Sequence, residues 1–155
     1  MSAISVKTIT WDIISDIWQN QLWPDRLDIE THSAMTWPGD YPDNTHDMSI
    51  FLYDVTYWGA YQDSDLVGVN SGHRTSPEHY RSRGLWVDPA HRLQGISKQL
   101  FSQTQAQAVS EGCIMIWSLP RMSAIRAYQS AGFVTQGMPI KTQTSNANIY
   151  VKKII

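Results

Sequence analysis

The stretch "VDPAHRLQGISKQLFSQ", Val87 to Gln103, begins as the end of an extended segment and finishes as an amphipathic helix, with a short polar join between them. From Ile96 the period is helical: Ile96, Leu100, Phe101, Thr104 and Ala108 share one face, Gln99, Gln103 and Gln107 another, and Gly112 is a natural stop. Gly95 sits where the backbone must turn from strand to helix, and a residue without Cβ lets main-chain N–H groups come close to a ligand. The first helical turn adds unpaired N–H groups and the positive end of the macrodipole, so the join favours an anion, above all a phosphate group. Arg92 and Lys98 bring positive charge to the same place. The nucleotide P-loop is excluded, because the spacing G-x-x-x-x-G-K-[ST] does not occur here.

Working outward, "TYWGAYQ", the turn "DSD" and "LVGVNSGHRT" read as a hairpin, and "YRSRGLWV" follows as a third extended segment after the "SPE" turn. Downstream, "CIMIW" (Cys113 to Trp117) is an unbroken apolar run suited to a buried strand beside a parallel neighbour. "MSAIRAYQSAG" supplies a last helix with Gly132 as its stop, and "FVTQG" and "NIYVKKI" supply closing strands. At the start, "AISVKTI" reads as a strand, and "TWDIISDIWQNQL" as a helix with Thr10 at its N-cap. "WPDRLDIETHSAM" adds a short second helix from Pro24, residues 36–47 are a loop by composition, and "SIFLYDV" fits a strand or a lid equally well. Strands that meander before a βαβ crossover make a mixed sheet with helices on its faces, an α+β architecture.

At 155 residues and 42% apolar, the chain is expected to form a single domain over residues 1–155. One cysteine, Cys113, excludes an internal disulfide and a Cys-rich zinc cluster and fits a reducing compartment. No apolar run suits a signal peptide or a bilayer span, so a cytoplasmic protein with no membrane partner is expected. Residues 1–65 hold eleven Asp/Glu against two Lys/Arg, and residues 66–155 hold three against ten, so the halves carry −9 and +7. The basic half lacks RRM, KH and zinc-finger patterns and scatters its cations, so no nucleic-acid partner is expected. His73 and His79 lack a third ligand nearby, and no metal site is expected.

Taken together, V-x-P-x-x-R-x-x-G-I-S, the Gln-rich helix, the apolar strand and "AIRAYQSAGF" before a final hairpin resemble the GNAT superfamily of acyl-CoA-dependent N-acetyltransferases, most sharply from Leu66 to Phe133. The resemblance implies a GNAT-like mixed, mostly antiparallel central sheet of six to seven strands with helices on both faces. It also implies acetyl-CoA as co-substrate and no metal. Arg92, Gln94, Gly95, Ile96 and Ser97, with Lys98 beside them, match the family's pyrophosphate loop Q/R-x-x-G-x-G/A. Ser97 replaces the usual Gly or Ala, and its hydroxyl can itself donate to a phosphate oxygen. Leu85, Trp86 and Val87 match the strand whose backbone pairs with the pantetheine arm, and a main-chain N–H near Val87 would polarise the thioester carbonyl.

Tyr128 matches the family's tyrosine four residues ahead of the Gly of G-F, which in many members protonates the departing thiolate; the acidities of phenol and thiol are close. Arg121 stands where many members have an Asn that contacts the cofactor. The position of the family's strand Glu is Arg81, which cannot accept a proton. His79 shares strand parity with Arg81 and is the candidate general base, with His73 or a water chain as alternatives.

Residues 25–54 contain Asp25, Asp28, Glu30, Asp40, Asp43, Asp47 and Asp54 against Arg26. With Trp37, Tyr41 and Trp23 they are expected to attract a cationic acceptor, a small-molecule or peptide amine. The reading is then an N-acetyltransferase acting on a primary amine by direct attack in a ternary complex. The rival is a non-catalytic acyl-CoA-binding module for sensing or scaffolding. The missing strand Glu favours the rival, and Tyr128 with the whole loop favours the enzyme. Homodimers are common among such folds.

Overall fold

In the computed structural model, which describes residues 3–40, 48–141 and 147–155, seven strands form one sheet: β1 (Ile4–Thr8), β2 (Val55–Gln62), β3 (Asp65–Arg74), β4 (His79–Val87), β5 (Met115–Ser118), β6 (Val134–Lys141) and β7 (Ala147–Ile154). Their order is β1-β2-β3-β4-β5-β7-β6, antiparallel at every junction except the parallel pair β4–β5. A parallel pair needs a crossover, and α2 (Ile96–Ser110) supplies it. The mixed, mostly antiparallel sheet expected from the sequence is present.

α2 buries Ile96, Leu100, Phe101, Thr104 and Ala108, the face its period marked out. Ile96 and Leu100 pack on Ala60 and Val67, while Phe101 and Ala108 join Tyr80, Ile116 and Val151 together with Tyr128 of α3 (Ile125–Ser130). The polar member, Thr104, accepts from Asn70 Nδ2 at 3.0 Å, and the same amide donates to Ser82 Oγ at 2.9 Å, tying helix to sheet. The opposite face is covered by α1 (Trp11–Ile17), continued by one π-helical turn over Trp18–Leu22, with Ile14 and Trp18 against Val69.

β4 carries the feature that positions the site. Val69 faces Trp86 and Ser71 faces Arg83, so Gly84 and Leu85 together oppose Asn70 in a β-bulge. Gly84 has φ +79°, and a Cβ there would lie 2.3 Å from the Trp18 ring. Trp18 Nε1 donates to the Gly84 carbonyl at 2.9 Å. Positions 79, 81, 83, 85 and 87 would share one face of a regular strand. With the bulge, Arg81 and Arg83 meet the segment after α1, whereas Leu85 and Val87 pack on the α2 side. β4 pairs with β5 only from His79 to Arg81, and beyond that the strands part.

Three details differ from the sequence reading. No helix starts at Pro24. The Trp23 N–H closes the π turn on the Trp18 carbonyl, Gln19 Nε2 binds the Arg26 carbonyl at 3.1 Å, and the chain then runs irregularly along β4, whose Arg83 takes the Glu30 carbonyl that a helix would need. "SIFLYDV" opens as a 3₁₀ turn, Met48–Leu52, and becomes strand only at Val55. Thr10 stands at the N-cap of α1 but makes no side-chain capping bond.

Replacing Gly84 by Ala combines a left-handed φ with overlap on Trp18 and should cost about 3 kcal/mol in urea unfolding. Gly95→Ala, with φ +76° but no atom within 4 Å of the new Cβ, should cost about 1 kcal/mol. Equal losses would show that the bulge is not held by this contact.

Candidate active site

The site is built around the point where β4 and β5 part. Ser118, the last residue of β5, donates its hydroxyl proton to the Ser82 carbonyl at 2.6 Å, pinning the vertex. Tyr128 Oη stands 3.5 Å from that same Ser118 oxygen, whose single proton is already committed. With that proton committed, the phenol is the donor in this contact, its hydrogen directed at the Ser118 oxygen. Tyr128 is 3% exposed and wedged against Phe101 and Phe133. Burial pushes its acidity constant up, with the Arg81 charge pulling the other way, so the group is a protonated phenol at neutral pH. Past Arg81, residues Leu85, Trp86 and Val87 have no β5 partner among the described residues.

At the far end of β4 the chain turns through Leu93 (φ +65°) and Gly95 (φ +76°) into α2, whose N-cap makes no side-chain hydrogen bond. Arg92, Leu93, Gln94, Gly95 and Lys98 are exposed, and Arg92 Nε reaches the Val87 carbonyl at 3.4 Å. The Ile96 side chain is buried among Ala60, Val67 and Leu100, so this residue offers the loop its main-chain N–H alone. Uncapped helix donors beside a glycine with open space where a Cβ would project fit a diphosphate.

On the opposite face, the segment from Trp23 to Asp40 runs antiparallel to β4 and meets its side chains in turn. Arg83 Nη1 donates to the Glu30 carbonyl at 2.8 Å and lies over the Trp18 and Trp23 rings. Arg81 Nη1 donates to Ser33 Oγ at 2.6 Å and lies over Trp117, which packs on Trp37. His79 Nδ1 lies 2.8 Å and 2.9 Å from the two carboxylate oxygens of Asp40. A carboxylate only accepts, so Nδ1 holds the proton and Nε2 is the basic nitrogen. Burial lowers the Arg81 guanidinium to about 10 and the Arg83 guanidinium to about 9, with Arg26 adding to both shifts; both remain charged at neutral pH.

His73 is unsuited to proton transfer. Its Nδ1 donates to the Arg74 carbonyl at 3.0 Å and its Nε2 accepts the Ser33 N–H at 3.4 Å. Trp23 and Trp37, expected to greet a cationic acceptor, are engaged by Arg26 and Arg83 and by Trp117. Asp40, expected to steer, is paired with His79; Tyr41, Asp43 and Asp47 lie outside the described residues. Arg121 forms a bridge to Asn148 just after β5. No group of three or more metal-ligating side chains occurs among the described residues. No helix among them is long and apolar enough to cross a membrane. Cys113 is 6% exposed, and burial followed by the Glu111 charge pushes its thiol up to about 11.

The sequence reading missed Trp18, Ser33 and Ser118 and the pairing of Asp40 with His79. The one local signal was Gly84 inside an otherwise regular strand pattern, which marks a bulge or a close approach.

The site thus joins a parted parallel strand pair, an exposed turn with an uncapped helix start at one end, and a buried phenol at the vertex. The chain belongs to the GNAT family of acetyltransferases: the model described as "Acetyltransferase (GNAT) family" matches residues 18–133. Ard1 from Thermoplasma volcanium is 15% identical over 99% of this chain and 98% of its own, with a TM-score of 0.67. An aminoglycoside 6'-N-acetyltransferase complexed with coenzyme A is 14% identical over 97% and 96%, with a TM-score of 0.66. yncA from Salmonella typhimurium, solved with its cofactor acetyl-CoA, is 15% identical over 99% and 94%, again at 0.66. At these identities the likeness concerns the fold. No match was found among curated proteins.

His73 supplies a pH test of the packing behind the site. Burial lowers its folded value to about 3, with Arg81, His32 and Arg83 adding to the shift against the Arg74 hydrogen bond. The unfolded chain therefore takes up this proton first as pH falls below about 6.5. Its contribution is complete above that pH and is lost progressively toward pH 3, at up to about 1.4 kcal/mol per unit. His73→Gln should flatten the urea-midpoint profile between pH 7.5 and 5; an unaltered slope would mean that the ring is solvated.

Proposed function

We propose that residues 1–155 form one acetyltransferase domain that moves an acetyl group from acetyl-CoA to a primary amine by direct attack in a ternary complex. The observation that carries this is the parting of β4 from β5 with the Tyr128 hydroxyl at the vertex. Acetyl-CoA supplies an activated acyl carbon. The turn from Arg92 to Lys98, with the first amides of α2, holds the diphosphate, and the free edge of Leu85–Val87 aligns the pantetheine arm. His79 Nε2, oriented by Asp40, takes one proton from the arriving ammonium to free the attacking lone pair, and the second proton, lost by nitrogen as the C–N bond forms, makes good the one that Tyr128 gives up. Tyr128 gives its proton to the sulfur as the C–S bond breaks.

The acceptor reaches this face as a cation. An open groove of about 670 Å³ between α1 and residues 27–30 is lined by Asp12, Asp16, Asp28 and Glu30 with Trp11, a field suited to drawing in an ammonium. The buried, reduced thiol of Cys113 fits work in the cytoplasm.

Release of coenzyme A thiol with an amine panel tests the transferase reading; binding of acetyl-CoA without any release would leave a binding module. Tyr128→Phe should lower kcat about 10- to 100-fold with little change in cofactor Kd, and His79→Gln and Asp40→Asn should each lower kcat as well. Unchanged kcat in Tyr128→Phe would remove the phenol from the mechanism. The triple change Asp12→Asn, Asp16→Asn and Asp28→Asn should raise the amine KM and weaken its salt dependence; identical values would eliminate the steering role.

A further inference from the structure

Four guanidiniums act on one another on this face: Arg26 and Arg83 share the Trp23 ring, at 4.1 Å and 5.1 Å, and Arg81 lies over Trp117. Arg26 stands within electrostatic reach of Arg81, Arg83 and Arg121, and Arg81 within reach of Arg83. None has a carboxylate at ion-pair distance among the described residues, where the acids so engaged pair with Arg74, His79 and His91. Glu30 meets Arg83 through its main-chain carbonyl, and its carboxylate acts on that guanidinium from beyond ion-pair distance.

Arg81 is the most exacting of the four. It is 8% exposed, its Nη1 is taken by Ser33, and its buried Nε has no partner. The Nε–H edge is one of the two faces with which a guanidinium grips a carboxylate through parallel hydrogen bonds. A buried, unpaired charge destabilises a fold, and a neutral side chain of the same bulk would pack at less cost. Arg81 lies between Ser33 and the Trp117 ring, next to the vertex residue Ser118 in sequence, and its charge acts on the hydroxyls of Tyr128 and Tyr150. His79 lies two residues away on the same face of β4, about 7 Å along the strand, so one small molecule can touch both.

We propose that Arg81, supported by Arg26, Arg83 and Arg121, binds the carboxylate of an acceptor that carries amine and carboxylate together, an amino acid or a compound built like one. The proposal rests on the transferase reading above and names its substrate class. A polyamine would add positive charge beside four guanidiniums. A dipolar acceptor, once drawn in by the outer acids, instead presents its amine to His79 and its carboxylate to Arg81.

The test measures coenzyme A release with the twenty protein L-amino acids, their carboxamides and spermidine. At least one free acid should exceed its carboxamide in kcat/KM by about 100-fold or more. Arg81→Lys keeps the charge and loses the fork; it should fold as the parent does and lose most of that preference. Arg81→Met should melt no lower than the parent and lose the preference altogether. Carboxamides or spermidine performing as well as every free acid would overturn the assignment and leave the transferase intact, as would an undiminished preference in Arg81→Lys. If no amine is acetylated, the transferase reading falls, and melting with N-acetylglycine and N-acetyl-L-leucine judges the anion site alone. A rise in Tm in the parent that is missing in Arg81→Met supports the site, and no rise overturns it.

Discussion

The contact between the Trp18 indole and Gly84 governs the arrangement of everything else. The ring occupies the space a Cβ would need, and its N–H takes the carbonyl that the bulge turns out of the ladder. One extra residue in β4 reverses strand parity, so that side chains of one numerical class serve two faces: arginines toward the segment after α1, Leu85 and Val87 toward α2. The same bulge bends β4 away from β5. A tryptophan at the end of the first helix thus sets the geometry of a cleft formed by strands more than sixty residues later.

Two halves of opposite charge meet across this face, and their complementarity is incomplete. Asp40 and His79 pair directly, but Arg81 and Arg83 find neutral oxygens from Ser33 and Glu30. A hydrogen bond to a charged group returns about 1.5–3 kcal/mol. Removing a guanidinium from water costs several kcal/mol even after relaxation. The second quantity exceeds the first, so the face is assembled at a net loss that hydrophobic burial around Trp18, Ile14 and Val69 must offset.

Elements whose identity depends on neighbours in sequence were legible. The apolar period of α2, the Gly112 and Gly132 stops and the meander of β2 to β4 all follow from local patterning, and the exposed turn at Gly95 follows from its place between strand and helix. What escaped depends on distant partners. Pro24 is a good helix starter, yet the carbonyls beyond it are claimed by β4, 53 residues away in the case of Glu30. Asp40 read as one of several acids drawing in a cation because its histidine lies 39 residues on. Arg81 and Arg83 alternate as surface residues do, and only the sheet's covering makes them buried.

Cys113 has a bearing on how such a protein handles thioesters. Its sulfur is enclosed at the foot of α2, and its thiol is held at about 11, so very little thiolate exists at neutral pH. It is a poor nucleophile for capturing an acyl group from a bound donor, which keeps a thiol-to-thiol exchange from diverting the acyl unit onto the polypeptide. The native chain should therefore react slowly with thiol-reactive dyes, so that fast colour in solution counts liberated cofactor.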